Sequence, residues 1–322
     1  MPRVIITGAS GVLGSAVYAA FTSAGHTVLG LAHSRPTGQL EKLDLTDYEK
    51  TEQLFSKFAP DWVIHCAAER RPDVAEKDPE AARKLNVSVP ESLAQLAKKL
   101  KHKLVYISTD YVFDGTSPPY TPSSPTNPLN LYGQTKRDGE IAVLGVSDSQ
   151  SIVLRVPVLY GPAPKNSDSA INILLDVVSD QSGKQYKMDH YATRYPTNVV
   201  DIADFLVRLS SLPASRVIPP ILHYSSEEPF TKYEICLIFA RILGVSHAHI
   251  VADAEPPKVR LCFSGLERKV STANVMRQQD GTPRPRDCQL YTHETEDLME
   301  GYGGLGWTPF DEWWTEYLTK KQ

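Results

Sequence analysis

Short apolar runs alternate with amphipathic segments through the first half of the chain. The apolar runs are continuous and rich in β-branched residues, which is typical of strands buried on both faces of a parallel sheet. They predict strands at residues 3–7, 26–32, 61–66, 103–108 and 151–156. The intervening segments predict helices at residues 12–24, 47–58, 79–100 and 129–144. Strands joined by helices in this order predict a Rossmann-type α/β fold with a doubly wound parallel sheet.

The pattern loosens after about Pro157, where prolines and charged residues become frequent. Helices are predicted at residues 199–211, 231–243 and 309–320, with a short strand at 221–225. We therefore predict a Rossmann domain over residues 1–160. A smaller C-terminal α/β lobe is predicted over residues 161–322, with some of its chain crossing back to the Rossmann sheet.

Three glycines, Gly8, Gly11 and Gly14, follow the first predicted strand and lead into the first predicted helix. Glycine permits a tight turn and lets the backbone approach a pyrophosphate closely. The helix N-terminus then offers free N–H groups to the anion. The alternative is an ordinary tight turn, but the strand–turn–helix context favours dinucleotide binding.

The end of the second predicted strand bears on which dinucleotide is bound. An NAD site usually has an acidic residue there for the ribose 2′-hydroxyl. This chain instead has His33, Ser34 and Arg35. A guanidinium suits a 2′-phosphate, so NADP is favoured over NAD, the alternative being that Arg35 is an ordinary surface arginine. Ala67 and Ala68 follow the 61–66 strand, where small residues either let a ligand approach or simply pack.

Tyr132 and Lys136 are four residues apart and share one face of the predicted helix. A nearby ammonium is expected to lower the phenol pKa from about 10. Such a tyrosine can exchange a proton with a carbonyl or alcohol during hydride transfer. Thr109, at the end of an upstream strand, can orient the substrate oxygen. A bare pair of this kind is often a solvated helix face, but the glycine turn and Thr109 favour a catalytic set.

Composition narrows the classes of function. The formal net charge of the 322 residues is −4, which argues against nonspecific binding to nucleic acid or acidic membranes. No signal peptide is recognisable, and no apolar run approaches the ~18 residues of a membrane helix. We therefore expect a soluble, cytoplasmic protein. The four cysteines form no Cys-x-x-Cys pair and the nine histidines are scattered, so no metal site is predicted.

Several of these markers resemble those of the extended short-chain dehydrogenase/reductases. They are the glycine turn, Asp44-Leu45, Asn86, Thr109, Tyr132 with Lys136, and residues 155–161. Within that superfamily, S-T-D-Y-V-F-D-G (108–115) and P-L-N-L-Y-G-Q-T-K (128–136) resemble dTDP-4-dehydrorhamnose reductases.

A more specific resemblance lies in H-C-A-A-E-R-R-P-D-V at residues 65–74, which is similar to the regulatory β subunits of methionine adenosyltransferase. Residues 188–190, 194–197, 231–234 and 284–286 share this resemblance. It implies NADP contacts at Ser10, Gly11, Val12, Leu13, His33, Ser34, Arg35, Asp44, Leu45, Cys66, Arg70, Tyr132, Lys136 and Leu159.

The resemblance implies a regulatory subunit that binds NADP and docks on the methionine adenosyltransferase catalytic subunit. In that family the C-terminal tail contributes to the contact, and this chain departs from the longer, more basic family tail after residue 310. The alternative is an NADPH-dependent reductase of a nucleotide-linked 4-keto-deoxysugar, with Thr109, Tyr132 and Lys136 as its catalytic residues. An epimerase is a weaker third reading. The aromatic cluster at residues 307–317 either anchors a partner or packs on its own domain.

Overall fold

Seven parallel strands form the central sheet of the computed structural model, which describes residues 1–34, 36, 38–255, 275–277 and 282–320. In chain order they are β1 (Arg3–Thr7), β2 (Thr27–Ala32), β3 (Glu41–Lys42), β4 (Trp62–His65), β5 (Lys103–Thr109), β6 (Gln150–Val156) and β10 (Ile221–His223). Their order across the sheet is β10-β6-β5-β4-β1-β2-β3. The order in which strands are added reverses between β1 and β4, which confirms the predicted doubly wound Rossmann topology.

Helices cover both faces of the sheet. In chain order the first six are α1 (Val12–Ser23), α2 (Tyr48–Phe58), α3 (Pro72–Lys77), α4 (Pro79–Arg83), α5 (Val89–Leu100) and α6 (Leu131–Gly145). Alternate residues of β1 point into different cores. Val4 and Ile6 join a cluster with α1, whereas Ile5 joins a cluster with α2, α5 and α6. No helix in the described ranges is long and apolar enough to span a membrane.

The predicted helix at residues 79–100 is interrupted in the structure. A π-helical segment, Lys84–Ser88, separates α4 from α5. Pro90 contributes to the break, since its ring carries no N–H for the helical ladder. The opening leaves the Asn86 carbonyl oxygen to accept a hydrogen bond from the Tyr106 hydroxyl at 3.1 Å. The interruption therefore fastens this helix to β5.

The second half of the chain also contributes to the Rossmann layers. Its elements include β7 (Leu159–Tyr160), α7 (Ile173–Ser179), β8 (Tyr186–Asp189), β9 (Thr197–Asn198) and α8 (Val199–Ser210). Helix α8 packs against α1, burying Ile202, Phe205 and Leu206 in the same cluster as Val17. Strand β10 adds to the sheet beside β6.

The remaining elements build a smaller lobe. They are α9 (Lys232–Leu243), β11 (Ile250–Asp253), β12 (Val275–Arg277), β13 (Pro283–Pro285), α10 (His293–Leu298) and α11 (Phe310–Thr319). Strand β11 pairs with β8, and β12 pairs with β13. In α11, Phe310 and Trp314 are fully buried against Phe239 and Tyr160. The aromatic cluster therefore packs mainly on its own lobe.

Candidate functional site

The glycine turn lies between β1 and α1, where its backbone is closely packed. Gly8 has a φ of +66°, and a Cβ atom there would lie 2.7 Å from the Ala67 amide nitrogen. A Cβ atom on Gly14 would lie 2.2 Å from the Gly8 carbonyl oxygen. Gly11 is the N-cap of α1 and has no side chain to accept a hydrogen bond. The first amides of α1 are therefore not capped by a side chain. Such amides, beside a turn with glycine at positions 8 and 11, fit a diphosphate group.

The carboxyl end of β4 lies next to this turn because β1 and β4 are neighbours in the sheet. The Thr7 hydroxyl bonds His65 Nδ1 at 2.7 Å and accepts from the Ala67 amide at 3.4 Å. Cys66 and Ala68 are half-buried. Burial raises the pKa of the Cys66 thiol to about 12. The small residues after β4 thus form one wall beside the glycine turn.

Residues after β2 and β3 lie on the other side of the glycine turn from the loop after β4. His33 Nε2 lies 3.8 Å from a carboxylate oxygen of Asp44, with both side chains exposed. The other Asp44 oxygen accepts from the amide and hydroxyl of Thr46, and these bonds lower the pKa of Asp44. Leu45 is buried and Ser34 is exposed. Arg35 lies outside the described residues.

Thr109 and Tyr132, which the sequence analysis predicts as catalytic residues, lie close together in the structure. The Thr109 hydroxyl donates to Asp110 at 3.0 Å and accepts from the Tyr111 amide. Burial raises the pKa of Tyr132 well above its usual value, although a hydrogen bond with Thr109 and the nearby charge of Arg70 act to lower it. The Tyr111 ring meets the Tyr132 ring edge-on, with centroids 6.1 Å apart.

Lys136 is almost fully buried one helical turn from Tyr132. Its ammonium donates to the Ile107 carbonyl oxygen at 2.7 Å and lies 3.9 Å from the centroid of the Tyr106 ring. Burial lowers the pKa of Lys136 to about 7, against the opposing charge of Glu140. The prediction that Lys136 lowers the pKa of Tyr132 is wrong for this structure. The cost of burial dominates, and the amine bonds a carbonyl instead.

Asn86 links two sides of the site. Its side-chain amide donates to the Glu69 carbonyl and the Thr135 hydroxyl, both at 3.0 Å, and its oxygen accepts from the Glu69 amide. These bonds hold the loop after β4 against α6. Asn86 is therefore a positioning residue.

Two further residues named in the sequence analysis are placed nearby along the chain. Arg70 follows on the loop after β4 and is exposed, while Leu159 is half-buried at the start of β7.

A buried ion pair lies one helical turn from Lys136, and the sequence analysis did not predict it. Arg155 of β6 binds Glu140 through two nitrogens, with Nη2 at 2.7 Å and Nε at 3.0 Å. Glu140 also accepts from the Ser108 hydroxyl. The signal was available, because Glu140 follows Lys136 by four residues and so lies on the same helix face.

Asp110 is a further site residue that the sequence analysis did not predict. It directly follows Thr109 and is 6% exposed. Burial raises its pKa to about 7, opposed by the charge of Arg194. A carboxyl group that titrates near neutrality beside a hydroxyl is typical of functional sites.

The chain matches one known family over most of its length. The family described as RmlD substrate binding domain matches residues 2–301. The chain belongs to this family. The resemblance to dTDP-4-dehydrorhamnose reductases is thereby confirmed. A structure of that enzyme from Bacillus anthracis str. Ames in complex with NADP has a TM-score of 0.78 and 20% identity, covering 100% of both chains.

Relatives of this chain with named functions include two kinds of protein. Methionine adenosyltransferase 2 subunit beta of Xenopus laevis is 44% identical over 256 residues, covering 79% of this chain and 76% of the relative. A Streptomyces antibioticus protein, named a probable dTDP-4,6-dihydroxy-2-methyloxan-3-one 4-ketoreductase, is 33% identical, covering 80% of each chain. The predicted resemblance to the β subunits is thus confirmed, and they are the more similar of these two relatives.

Proposed function

We propose that this protein binds NADP in the groove formed by the glycine turn, the loop after β4 and the edge at His33. The uncapped amides of α1 and the absence of side chains at Gly8 and Gly14 support binding of the diphosphate. When bound in its reduced form, NADPH, the cofactor would supply a transferable hydride. Lys136 would contact the nicotinamide ribose, and Arg35 would pair with the 2′-phosphate.

The choice of NADP over NAD is tested by Arg35→Asp. This change places a carboxylate where a 2′-phosphate is expected, so calorimetry should show a much larger loss of affinity for NADP than for NAD. Arg216→Ala serves as the control because its guanidinium bonds the carbonyls of Asp297 and Leu298, in the last turn of α10. Equal losses for both dinucleotides would show that Arg35 does not read the phosphate.

We further propose that the NADP-bound protein is a regulatory subunit of methionine adenosyltransferase, docking on the catalytic subunit. The observation that carries this proposal is the 44% identity to a protein named as that subunit. The run E-R-R-P-D-V supports it. Arg70 and Arg71 are exposed, and the following helix α3 is held to α6 by a bond from the Leu131 amide to Glu76 at 3.0 Å.

Co-purification with a methionine adenosyltransferase catalytic subunit tests this role. We expect a complex at micromolar concentrations in the presence of NADP, and a change in the rate of S-adenosylmethionine synthesis. The catalytic subunit with serum albumin is the control for nonspecific effects. No association under these conditions would refute the regulatory role, even if calorimetry shows NADP binding.

A reductase of a nucleotide-linked 4-keto-deoxysugar is the second candidate. The proximity of Thr109 and Tyr132 favours it, because burial raises the pKa of Tyr132 and so keeps a phenol proton next to the Thr109 hydroxyl, where a carbonyl oxygen could bind. NADPH oxidation with a dTDP-4-keto-6-deoxysugar should cease in Tyr132→Phe, while NADP binding stays largely intact. Tyr48→Phe, at an exposed tyrosine of α2, is the matched control. Turnover that survives in Tyr132→Phe would exclude Tyr132 as the proton donor.

A further inference from the structure

Residues 283–291, which begin with β13, run as a strap over the loop that follows β5. The Tyr120 amide of this loop donates to the Gln289 carbonyl oxygen at 2.8 Å, and the Tyr291 amide donates to the Tyr120 carbonyl oxygen at the same distance. Apolar side chains of the strap and of the loop share one small buried cluster, made of Val112, Phe113, Tyr120, Cys288 and Leu290. The strap therefore covers the chain that directly follows Thr109.

Side chains of the Rossmann layers hold the strap at both ends. At its start, the Asn130 side-chain amide donates to the Pro283 carbonyl oxygen at 2.9 Å. At its end lies His223 of β10, which is fully buried. The Nε2 atom of His223 lies 3.3 Å from Arg155 Nη1, and its Nδ1 atom lies 3.1 Å from the Tyr291 carbonyl oxygen. One imidazole ring thus lies between a guanidinium of the sheet and the backbone of the strap.

These two contacts determine where the proton of the His223 ring lies. A guanidinium can only donate, so the Nε2 atom that faces Arg155 must accept and carries no proton. A carbonyl oxygen can only accept, so the Nδ1 atom that faces Tyr291 must carry the proton. Burial and the charge of Arg155 lower the pKa of His223 to about 3, which keeps the ring uncharged at neutral pH. Both contacts therefore require the neutral Nδ1–H tautomer.

The other donors of Arg155 extend this connection to the catalytic set. Its Nε and Nη2 atoms donate to Glu140 of α6, the helix that carries Tyr132 and Lys136. Its Nη1 atom also donates to the Pro122 carbonyl oxygen, in the loop after β5, at 3.1 Å. The helix, the loop and the strap are therefore joined through two adjacent buried side chains.

We propose that His223, as the Nδ1–H tautomer, is a positioning residue that fastens the strap over the carboxyl end of β5 and thereby holds Thr109. Within the described ranges, regular pairing between the strap and the loop is limited to the isolated bridge of Tyr120 with Leu290. The end of the strap therefore depends on the connection from the sheet. The Tyr111 amide, which donates to the Thr109 hydroxyl, lies in the covered chain. Neither NADP nor a partner protein is needed for this connection.

Nitrogen NMR of the whole protein with nitrogen-15-labelled histidine tests the tautomer at neutral pH. The His223 signals are identified by their absence from the spectrum of His223→Asn. We expect a proton on Nδ1 and none on Nε2. A proton on Nε2, or a ring that carries both protons, would overturn the proposal, because either would place a hydrogen between Nε2 and a guanidinium that can only donate.

Amide hydrogen exchange tests whether His223 holds the strap. His223→Phe keeps an aromatic ring and removes both bonds. The amides of Tyr120 and Tyr291 should therefore exchange about tenfold faster or more, as the loss of one or two buried hydrogen bonds implies. The Tyr111 amide, which is bonded to the Thr109 hydroxyl, should also exchange faster.

Three comparisons separate this local effect from a general loss of stability. The Ala9 amide, which donates to the Leu31 carbonyl oxygen at the glycine turn, should exchange at an unchanged rate in His223→Phe. His223→Asn retains an N–H donor near the position of Nδ1, so it should restore part of the protection at Tyr291. His247→Gln, at an exposed histidine, should exchange like the unchanged protein.

Several outcomes would contradict the role of His223. They are equal protection of Tyr291 in His223→Phe and the unchanged protein, a loss of protection at Ala9 as large as that at Tyr291, and no rescue by His223→Asn. Unchanged exchange at the Tyr111 amide would show that the strap does not hold the catalytic set. If His223→Phe does not fold, His223→Gln replaces it, since it keeps an acceptor and loses the donor to Tyr291. NADP binding and docking are measured separately, so their failure would leave these results unaffected.

Discussion

Gly14 illustrates at the scale of one residue how the cofactor groove depends on a missing side chain. A Cβ atom there would lie 2.2 Å from the Gly8 carbonyl oxygen and 2.7 Å from its carbon, both of them backbone atoms. Gly14→Ala must therefore displace the turn. We expect a loss of unfolding free energy of about 1–3 kcal/mol, as for other overpacked sites, and a loss of NADP affinity of at least tenfold. Urea denaturation and calorimetry measure the two effects.

Gly145 provides the matched control at the end of α6. A Cβ atom there would have nothing within 4 Å. Gly145→Ala should therefore be neutral or stabilising by up to about 1 kcal/mol, because alanine favours a helix over glycine. A Gly14→Ala variant that binds NADP normally would show that the turn is not the diphosphate site.

His102 makes stability depend on pH. The residue is 1% exposed, and neither ring nitrogen has a hydrogen-bond partner in the described parts of the chain. Burial lowers its pKa to about 4. Between pH 6.5 and 4 the unfolded chain therefore binds a proton that the folded protein excludes, so stability is lost as the pH falls. The loss attributable to His102 is about 3 kcal/mol.

Replacing His102 by phenylalanine should remove this part of the acid sensitivity. Urea denaturation at pH 7 and pH 4.5 should give a smaller difference in unfolding free energy for His102→Phe than for the unchanged protein. His247→Gln, at an exposed histidine, should leave the difference unchanged. An identical pH dependence in His102→Phe would show that other groups, such as the buried His65 and His223, account for it.

At the scale of elements, the Glu140–Arg155 pair joins α6 to β6 one helical turn from Lys136. Both side chains are under 5% exposed. Glu140→Ala leaves a buried guanidinium without its main partner, which should cost about 3–5 kcal/mol of unfolding free energy. The Lys136 pKa should fall further, because the charge of Glu140 raises it. Chemical denaturation measures the first effect.

The Arg83–Asp138 pair provides the comparison for that change. It also joins two helical elements, but the Arg83 side chain is 50% exposed. Arg83→Ala should therefore cost no more than about 1 kcal/mol. Similar losses for Glu140→Ala and Arg83→Ala would contradict the view that burial makes the first pair important.

Most elements of the fold could be predicted from the sequence, because hydrophobic periodicity reports directly on burial. The strands at residues 3–7, 61–66 and 151–156 and the helix at 12–24 were found within two residues of their observed bounds. The break at Lys84–Ser88 was not predicted. Pro90 was visible in the sequence, but the Tyr106 hydroxyl that bonds the freed Asn86 carbonyl is close to it only in the folded protein.

The chemistry of the site was less accessible from sequence than its residue types. Spacing along α6 placed Tyr132 and Lys136 on one face, but it could not show that the amine bonds the Ile107 carbonyl. The raised pKa of Tyr132 follows from burial, which is a property of the assembled lobes. Arg194 entered the sequence analysis only through a resemblance. Its environment could not be predicted, because its Nη1 atom donates to the carbonyl oxygens of Pro285 and Arg286, more than 90 positions away.

At the scale of the whole molecule, the two halves of the chain share one core. Helix α8 buries Ile202, Phe205 and Leu206 in the cluster that contains Phe21 and Val17 of α1. Strand β10 completes the sheet edge beside β6. The predicted boundary at residue 160 therefore divides the chain where the Rossmann layers still lack a helix and a strand. Exposing such a face removes a large part of the hydrophobic stabilisation.

A fragment of residues 1–160 tests how far the first half is an independent domain. Without α8, the apolar surface of α1 would face water, and the β6 edge would be unpaired. We expect the fragment to bind a hydrophobic dye, to unfold without a sharp transition in urea, and to bind NADP at least tenfold more weakly than the whole chain. Adding residues up to 225, which include α8 and β10, should restore part of the cooperativity. A fragment that unfolds cooperatively at the same urea concentration as the whole protein would show that the halves fold separately and that α8 contributes little to the Rossmann core.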